Sequence, residues 1–516
     1  MTERLDTAPE TTSTRRWLAL AVLMFPVLLV SVDNTVLTFA VPAITRALTP
    51  DADQVLWMID IYPLVLAGLL VPMGSLGDRI GRRALLLVGC AGFGMVSVLA
   101  AFAPDASMLI AARALLGFFG AMLMPATLSL IRNIFTDDHE RRRAIAIWAT
   151  GFSGGAVLGP VLGGWLLEHF WWGSVFLLAV PMLLPLLAAG PVLVPESKDP
   201  SPGPIDPVSI LLAIGTLTPL VFGIKAAAKG QEPLIAVGAV ALGLACGWWF
   251  VRRQLARAAK PGLSPMLDVR LFRNPVFSGA LTVNLLSVFS MVGFIYFLSQ
   301  HLQLVAGRSP LDAGLFMIPG LVISIVSGLA AAQLARRFAV RDLMVVGLLL
   351  NAAAYAIVAT VGATGSDALL LLGFCLLGAG VGLAETLSND LALSAVPPSK
   401  AGAASAISET AYEGGSVLGT AVLGSLLNAA YARGLSTTAP LTEAQEVAAA
   451  KTLGGAHEVA ESLPDAQAAT LLADAAHAFD AGVVLTAGIG AALAVAAAVV
   501  IHRALRPVAA PVPAAD

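Results

Sequence analysis

The chain has 516 residues, of which 58% are hydrophobic and 12% charged, and its net charge is −3. Soluble domains carry about 25% charged residues, so this composition, with a mean hydropathy of +0.85, excludes an ordinary soluble protein. An outer-membrane barrel is excluded as well, because its strands would alternate in polarity over about ten residues. Apolar stretches of roughly 20 residues recur instead, and each is long enough to cross a bilayer.

These stretches predict an all-α polytopic membrane protein with fourteen transmembrane helices. The predicted spans are 17–42, 55–75, 84–103, 107–131, 143–166, 171–194, 207–227, 233–251, 276–300, 311–335, 342–362, 367–391, 402–429 and 479–501.

The distribution of basic residues supports this number of spans, because lysine and arginine concentrate on the cytoplasmic side of membrane proteins. With the N-terminus inside, 23 of the 30 lysines and arginines fall in cytoplasmic segments, and Arg113 lies within a span. The other six, Lys225 among them, fall in the external segments. We therefore expect both termini in the cytoplasm.

The spans also predict how the chain is divided. The expected parts are a cytoplasmic tail (1–16), an N-terminal six-helix bundle (17–194), two linking helices with their loops (195–275), a C-terminal six-helix bundle (276–502) and a second cytoplasmic tail (503–516).

The segment 430–478 joins the last two spans on the outside and is unusually long. It is rich in alanine, glutamate and glutamine, which favour helix, and Gly454 and Gly455 interrupt it. We expect short amphipathic helices that rest on the outer face of the protein. A flexible loop is the alternative.

The sequence contains no intact phosphate-binding loop, zinc ligand set or hydrolase motif, and its histidines do not cluster. The three cysteines, Cys90, Cys246 and Cys375, all fall in apolar spans, so we expect free thiols. We therefore expect no cofactor, no metal, no nucleic-acid partner and no enzymatic activity.

A tight loop, GSLGDRIGRR, follows the second span. Gly74 and Gly81 permit close approach and unusual dihedral angles. We expect Asp78 at the N-terminus of a neighbouring helix, where the macrodipole favours an anion, and Arg79 and Arg82 at the cytoplasmic surface. These residues are candidates for gating a conformational change. A basic loop with no role beyond orientation is the alternative.

The fifth span contains GGAVLGPVLGG. Gly155, Gly159 and Gly163 fall on one helical face, which permits close contact between backbones, and Pro160 adds a bend. They are further candidates for conformational gating. Small residues at this spacing occur in many bundles, so ordinary packing is the alternative.

Three charged residues lie in the outer half of the first bundle: Asp33, Asp60 and Arg113. Charged residues within spans usually pair, face an aqueous cavity or relay protons. Arg113 can stabilise one carboxylate, and the other must be solvated, paired differently or protonated. Burial favours the neutral form of a carboxyl group, so we expect this cluster to couple transport to protons. A purely structural pairing is the alternative.

The thirteenth span carries Glu409 and Glu413, four residues apart and hence on one helical face. Their mutual repulsion favours sharing a proton or attracting a cation, and we expect them, with Asp33, to bind substrate. Glu385 and Asp390 in the twelfth span are expected to be charges at the membrane interface.

Aromatic side chains near these acids could stack on flat cationic molecules. Trp57, Phe152 and Tyr412 are the candidates for this contact. Ordinary packing is the alternative for each of them.

The chain resembles the major facilitator superfamily in the loop GSLGDRIGRR, in LIAARALLGFFGAM of the fourth span and in GGAVLGPVLGG of the fifth. WMIDIYPLVLAG, QLVAGRSPLDAGLFMIP and AGAASAISETAYEGG make it similar to the fourteen-helix drug:proton antiporters. That group includes quaternary-ammonium exporters and actinobacterial exporters of dyes and fluoroquinolones.

The resemblance implies two six-helix bundles plus two additional helices. It also implies that acids at matching positions, Asp33, Asp60, Glu409 and Glu413, serve protonation and the recognition of cationic drugs. Ser408 stands where some relatives have a further acid, which puts recognition of divalent cations in doubt.

The sequence thus favours a monomeric, proton-coupled exporter of lipophilic, often cationic drugs in the inner (cell) membrane of a bacterium. Its partners would be drugs, protons and the lipid bilayer. Export of an endogenous metabolite or lipid is one alternative, and a non-transporting membrane sensor is another.

Overall fold

The computed structural model describes residues 13–198, 206–229, 233–260, 263, 265–360, 366–396 and 401–504. This part of the chain is almost wholly helical and contains no strand. The side chains of a few helical residues, Phe152 among them, lie outside the described set.

Among the described residues, fourteen of the sixteen α-helices coincide with the predicted spans, and the two short ones lie between the last two spans. The helices are α1 (Ser13–Leu48), α2 (Ala52–Ile80), α3 (Arg82–Ala101), α4 (Ala106–Ile134), α5 (Asp138–His169), α6 (Ser174–Leu193), α7 (Pro207–Lys229), α8 (Pro233–Ala258), α9 (Pro275–Val305), α10 (Pro310–Leu334), α11 (Val340–Val358), α12 (Asp367–Ser394), α13 (401–434), α14 (Glu443–Lys451), α15 (Leu453–Glu461) and α16 (Asp465–Ala504). Among the described residues, thirteen helices are long and apolar enough to cross a membrane. The remaining predicted span, 143–166, lies within the 32 residues of α5.

Contacts group the helices into two bundles and a hairpin. In the first bundle α1 packs on α5 and α6, and α4 packs on α2 and α3. In the second, α12 packs on α9, α10 and α11, while α13 and α16 complete the group. The two bundles meet along α5 with α10 and along α2 with α13.

Both described ends of the chain lie on one side of this bundle, here named the terminal side. An ion pair of 2.9 Å between Arg16 and Glu140 joins the beginning of α1 to the beginning of α5 there. The opposite side is named the far side.

The glycine face of α5 lies against α1, so the close helix contact predicted for it is confirmed. A Cβ added at Gly155 would lie 2.7 Å from the Ser31 Cβ, and one at Gly159 would lie 3.1 Å from the Val32 carbonyl oxygen. At Gly163 it would overlap the Val36 side chain. Glycine is needed here because the two backbones approach too closely for any larger residue.

The far side of α5 makes an equally close contact with α10 of the other bundle. A Cβ added at Gly164 would lie 2.6 Å from the Pro310 carbonyl oxygen and 2.7 Å from the Leu311 Cα. Conversely, a Cβ at Gly314 would overlap the carbonyl of Pro160. This contact holds the two bundles together on the far side.

We expect Gly164→Ala to open the far side. Overpacking costs about 1–3 kcal/mol, and α10 can relieve it by moving away as a rigid body. Double electron–electron resonance between spin labels at the far-side ends of α3 and α11 should show longer distances than in the wild type. Gly154→Ala is the matched control, because no atom lies within 4 Å of the added Cβ. Unchanged distances in Gly164→Ala would contradict this view of the contact.

The two linking helices, α7 and α8, form a hairpin that packs on α2 and α13. At the terminal side, Asp206 lies 2.8 Å from the Arg253 guanidinium and 3.3 Å from that of Arg257. Burial raises the pKa of Asp206, but hydrogen bonds from Arg253 and Ser209 outweigh it and lower the pKa to about 2. The carboxylate is therefore charged at physiological pH, and its ion pairs join the beginning of α7 to the end of α8.

The loop between α2 and α3 differs from the prediction in one respect. Asp78 pairs with Arg82 at 2.8 Å, whereas the acid that caps the N-terminus of α3 is Glu196. Its two oxygens accept the backbone N–H groups of Arg83 (3.0 Å) and Ala84 (3.2 Å). Gly81 has a φ of +113° and lies against this carboxylate. The sequence could not reveal this because Glu196 follows α6, far along the chain.

The segment 430–478, named the far-side segment, contains the short helices α14 and α15, as predicted. Helix α15 packs on α1, where Gly454 lies against Thr45. His457 Nε2 donates to the Leu304 carbonyl at 2.8 Å. Burial lowers the pKa of His457, which keeps the ring neutral. The segment thus covers the far-side ends of α1 and α9.

Candidate functional site

A buried ion pair joins α1 to α4 in the first bundle. Arg113 Nη1 lies 2.6 Å from Asp33 Oδ2, and the two side chains are 2% and 9% exposed. Arg113 Nε also donates to the Met58 carbonyl at 3.2 Å, and its guanidinium lies 4.5 Å above the Tyr62 ring. The prediction that Arg113 balances one of the first-bundle acids therefore applies to Asp33.

A second buried ion pair joins α2 to the linking helix α7. Asp60 Oδ2 lies 2.8 Å from Lys225 Nζ, with 1% and 2% exposure, and the ammonium lies 4.1 Å above the Trp57 ring. The assignment of Lys225 to an external segment is wrong. Its long side chain turns into the protein because α7 packs directly on α2. The sequence left three alternatives for the acid that Arg113 does not balance: solvation, a different partner or protonation. The structure shows a different partner, because Asp60 pairs with Lys225.

A cavity of about 450 Å³ lies between the two bundles. Its lining comes from α1, α5, α9, α10, α12 and α13. Most of this wall is aliphatic, with hydroxyl groups such as Thr35 and Ser416, the ring of Tyr412 and the carboxylate of Glu385. Such a cavity can hold a drug-sized molecule.

The cavity is closed toward the far side. There Ser299 Oγ donates to the Thr38 carbonyl at 2.9 Å, and Gln303 Nε2 donates to the Phe39 carbonyl at 3.2 Å, both across the bundle interface. Toward the terminal side the lining extends to Leu329, in the last two turns of α10. The cavity therefore faces the terminal side.

The predicted substrate-binding residues divide into two groups. Tyr412 lines the cavity. Among the described residues, Asp33, Glu409, Glu413 and Trp57 are not part of its lining, although Asn34 and Thr35, which follow Asp33, are. Trp57 instead packs beneath Lys225, and its role in substrate binding stays a prediction. The side chain of Phe152 lies outside the described residues.

Glu385 is a cavity residue that the sequence assigned to the membrane interface. Asp390, its neighbour in that assignment, is exposed, whereas Glu385 faces the cavity and interacts electrostatically with Glu409. The position of Glu385 in the sequence could have indicated this, because the residue lies about a third of the way along α12 from its terminal-side end and hence at membrane depth.

Glu413 lies behind the cavity wall and is 1% exposed. Its Oε2 has no hydrogen-bond partner among the described residues. Glu409 is partly exposed, and both acids act electrostatically on Tyr412. Glu385, Glu409 and Glu413 thus form an acidic region around this ring.

Two helical bundles that enclose a cavity closed on one side, with ionisable groups buried at membrane depth, are the architecture of a membrane transporter. The chain belongs to the Major Facilitator Superfamily, whose family model matches residues 23–420. It is therefore a transporter and not an enzyme.

The chain is 53% identical over 508 residues to the multidrug efflux pump LfrA of Mycolicibacterium smegmatis. The alignment covers 98% of this chain and 100% of the relative. It is 38% identical over 472 residues to the methyl viologen resistance protein SmvA of Salmonella typhimurium, covering 90% and 93%. The resemblance found in the sequence motifs is confirmed.

Among solved structures, a bacterial homologue of the human lysosomal transporter Spinster, in an inward-facing and unoccupied conformation, has a TM-score of 0.66. The alignment covers 96% of this chain and 98% of that one, at 17% identity. This likeness shows the fold alone.

Proposed function

We propose that the protein is a proton-coupled multidrug efflux antiporter that exports lipophilic, often cationic compounds. The observation that carries this proposal is the cavity between the bundles, with its aliphatic wall, Tyr412 and Glu385. An aliphatic wall accepts varied lipophilic molecules, an aromatic ring stacks on a cation, and a carboxylate balances positive charge. The similarity to a multidrug efflux pump and to a methyl viologen resistance protein supports it.

The proposed drug site is formed by Tyr412 and Glu385, with Glu409, Glu413 and Asp33 acting at longer range. Glu409 and Glu413 add negative potential to a wall that they do not line, and Asp33 would add to it when its ion pair with Arg113 opens. Such potential attracts cations of different shapes without requiring a fixed contact geometry, which suits a site that binds many compounds.

The proposed proton-coupling residues are Asp33, Asp60 and Arg113. A proton added to Asp33 would neutralise the carboxylate and free the Arg113 guanidinium from its partner. The contact between α1 and α4 would then weaken. Helix α1 also contains Thr38 and Phe39, whose carbonyl groups accept the hydrogen bonds that close the cavity on the far side. Protonation and closure of the cavity would be linked through this helix.

We further propose that the terminal side is cytoplasmic, that the membrane is the bacterial inner membrane and that the unit is a monomer. The concentration of arginine and lysine on the terminal side supports the orientation. The structure then corresponds to the state that takes up drug from the cell.

Transport by purified protein in vesicles tests the proposal. An imposed pH gradient should drive ethidium across the membrane, and an uncoupler should stop it. A panel of cationic, zwitterionic and neutral compounds would define the substrate range. Absence of gradient-driven transport for every compound, with correctly folded protein, would refute drug:proton antiport.

Asp78→Asn is expected to slow transport without much change in drug affinity, because the loop does not line the cavity and acts on the conformational equilibrium. A part-exposed ion pair is worth about 0.2–1 kcal/mol, which corresponds to a slowing of up to about fivefold. Efflux rates and ethidium binding should be measured together. Asp390→Asn, an exposed acid on the same side, is the control. A loss confined to drug binding would contradict this role.

A further inference from the structure

A second cavity, of about 370 Å³, opens on the far side between α2, α7, α13 and α14. Among the described residues it shares no lining residue with the cavity between the bundles. Its lining residues are Asp51, Ala52, Asp53, Leu56, Lys225, Ser425, Asn428, Ala429, Ala432, Arg433, Ala450 and Lys451. We name it the outer cavity.

The outer cavity is built to hold water. Ser425 Oγ and Asn428 Nδ2 are buried in its wall without a hydrogen-bond partner among the described residues. Buried polar groups of this kind are normally satisfied by ordered water. At about 30 Å³ per molecule, the volume accommodates about a dozen waters.

Lys225 forms the inner end of the outer cavity. The residue lines the cavity and at the same time places its Nζ 2.8 Å from Asp60 Oδ2. Asp60 itself lies behind the lysine and is fully buried. Leu64 of α2 and Val221 of α7, each one helical turn from a member of the pair, form an apolar cluster with Val417 of α13.

We propose that Asp60 and Lys225 form a proton-exchange site that is loaded from the far side through the outer cavity, with Lys225 as the positioning residue. This inference rests on the proposed antiport function. It gives the linking hairpin a role in coupling, and it separates the entrance of the proton from the cavity that takes up drug.

The exchange step conserves charge and atoms. A hydronium ion in the outer cavity transfers its proton to Asp60 Oδ2, leaving water, and the ion pair with Lys225 is lost. The Lys225 ammonium keeps its protons and turns into the cavity, where Asp51 and Asp53 of α2 lie. Release of the proton reverses these movements.

Charged and titratable groups from three further helices lie around the site. Arg433 from α13 and Lys451 from α14 also line the outer cavity, so its wall carries both signs of charge. Tyr296 from α9 interacts electrostatically with Asp60. Because the linking hairpin packs on both α2 and α13, loss of the ion pair would loosen the α2–α7 contact beside one of the contacts between the bundles.

The decisive variant replaces both members of the pair, Asp60→Asn with Lys225→Met. Replacing both avoids a lone buried charge, so the protein should fold. We expect ethidium binding within about twofold of the wild type, but at least a tenfold loss of gradient-driven efflux and of drug-induced proton release. Lys260→Met, at the terminal side, is the control. If the double variant kept wild-type rates of gradient-driven efflux and proton release, the pair would be only a structural contact and the inference would be overturned.

Access from the far side is tested by Ala432→Cys, an exposed position in the wall of the outer cavity. A charged, membrane-impermeant thiol reagent added from the far side should inhibit drug-driven proton exchange in this variant and leave the wild type unaffected. Complete labelling without inhibition would overturn the proposed entrance. If the wild type itself shows no gradient-driven transport, the proposed function fails rather than this inference.

Discussion

Replacing Asp33 with asparagine should reduce proton-driven efflux at least about 100-fold, corresponding to about 2.7 kcal/mol in the transport barrier. Asp33 can take up a proton, whereas an amide cannot. The substitution also leaves Arg113 without its counter-ion at a site where both side chains are nearly inaccessible. Rates of ethidium efflux from vesicles with an imposed pH gradient would measure the loss.

Misfolding must be separated from loss of coupling, because an unpaired buried charge destabilises a protein by about 3–5 kcal/mol. The variant Asp33→Asn with Arg113→Met removes both charges and should recover thermal stability without recovering transport. Passive ethidium exchange in the absence of a gradient serves as a control for the transport path. Wild-type rates in Asp33→Asn for every cation would exclude a coupling role.

Glu385→Gln should reduce the efflux of permanently charged cations about tenfold more than that of a fluoroquinolone. A quaternary ammonium compound cannot lose its charge, so it depends on a carboxylate to offset desolvation. A fluoroquinolone carries its own anion. A charge pair at roughly 4 Å is worth about 4 kcal/mol at an effective dielectric of 20, and a net third of that corresponds to a tenfold change.

The measurement is efflux of ethidium and of a fluoroquinolone in matched vesicles. Asp390→Asn is the control, because it neutralises an exposed acid on the same helix. Glu413→Gln provides a second comparison, since Glu413 lies behind the wall rather than on it. Equal losses for both drugs in Glu385→Gln would assign the residue to proton coupling, and no loss for either would remove it from the drug site.

The three acids around Tyr412 and the two ion pairs of the first bundle give the protein different kinds of buried charge. Each carboxylate of an ion pair has a cation within 3 Å, whereas the charged groups that act on Tyr412 are all acids, Glu385, Glu409 and Glu413. A paired carboxylate can change partners when a proton arrives, while an unpaired one attracts a cationic ligand. This difference is the physical basis for assigning protons and drug to separate groups.

The sequence by itself determined the number of spans, the division between helices and loops, the close packing of the α5 glycine face and the helices of the far-side segment. These features depend on hydrophobic length, residue spacing and helix propensity, which are local properties of the chain. The motifs also predicted the superfamily. Most of the buried acids were recognisable because a charge within an apolar span stands out.

The tertiary structure decided which charges meet. Asp60 pairs with Lys225 from a linking helix, Glu196 rather than Asp78 caps α3, and Glu385 faces the cavity while Trp57 does not. Each of these outcomes depends on the rotation and neighbours of helices that are distant in sequence. A rotation by one residue turns a side chain by about 100° around a helix, so span boundaries alone could not fix these contacts, and only the packing of the helices did.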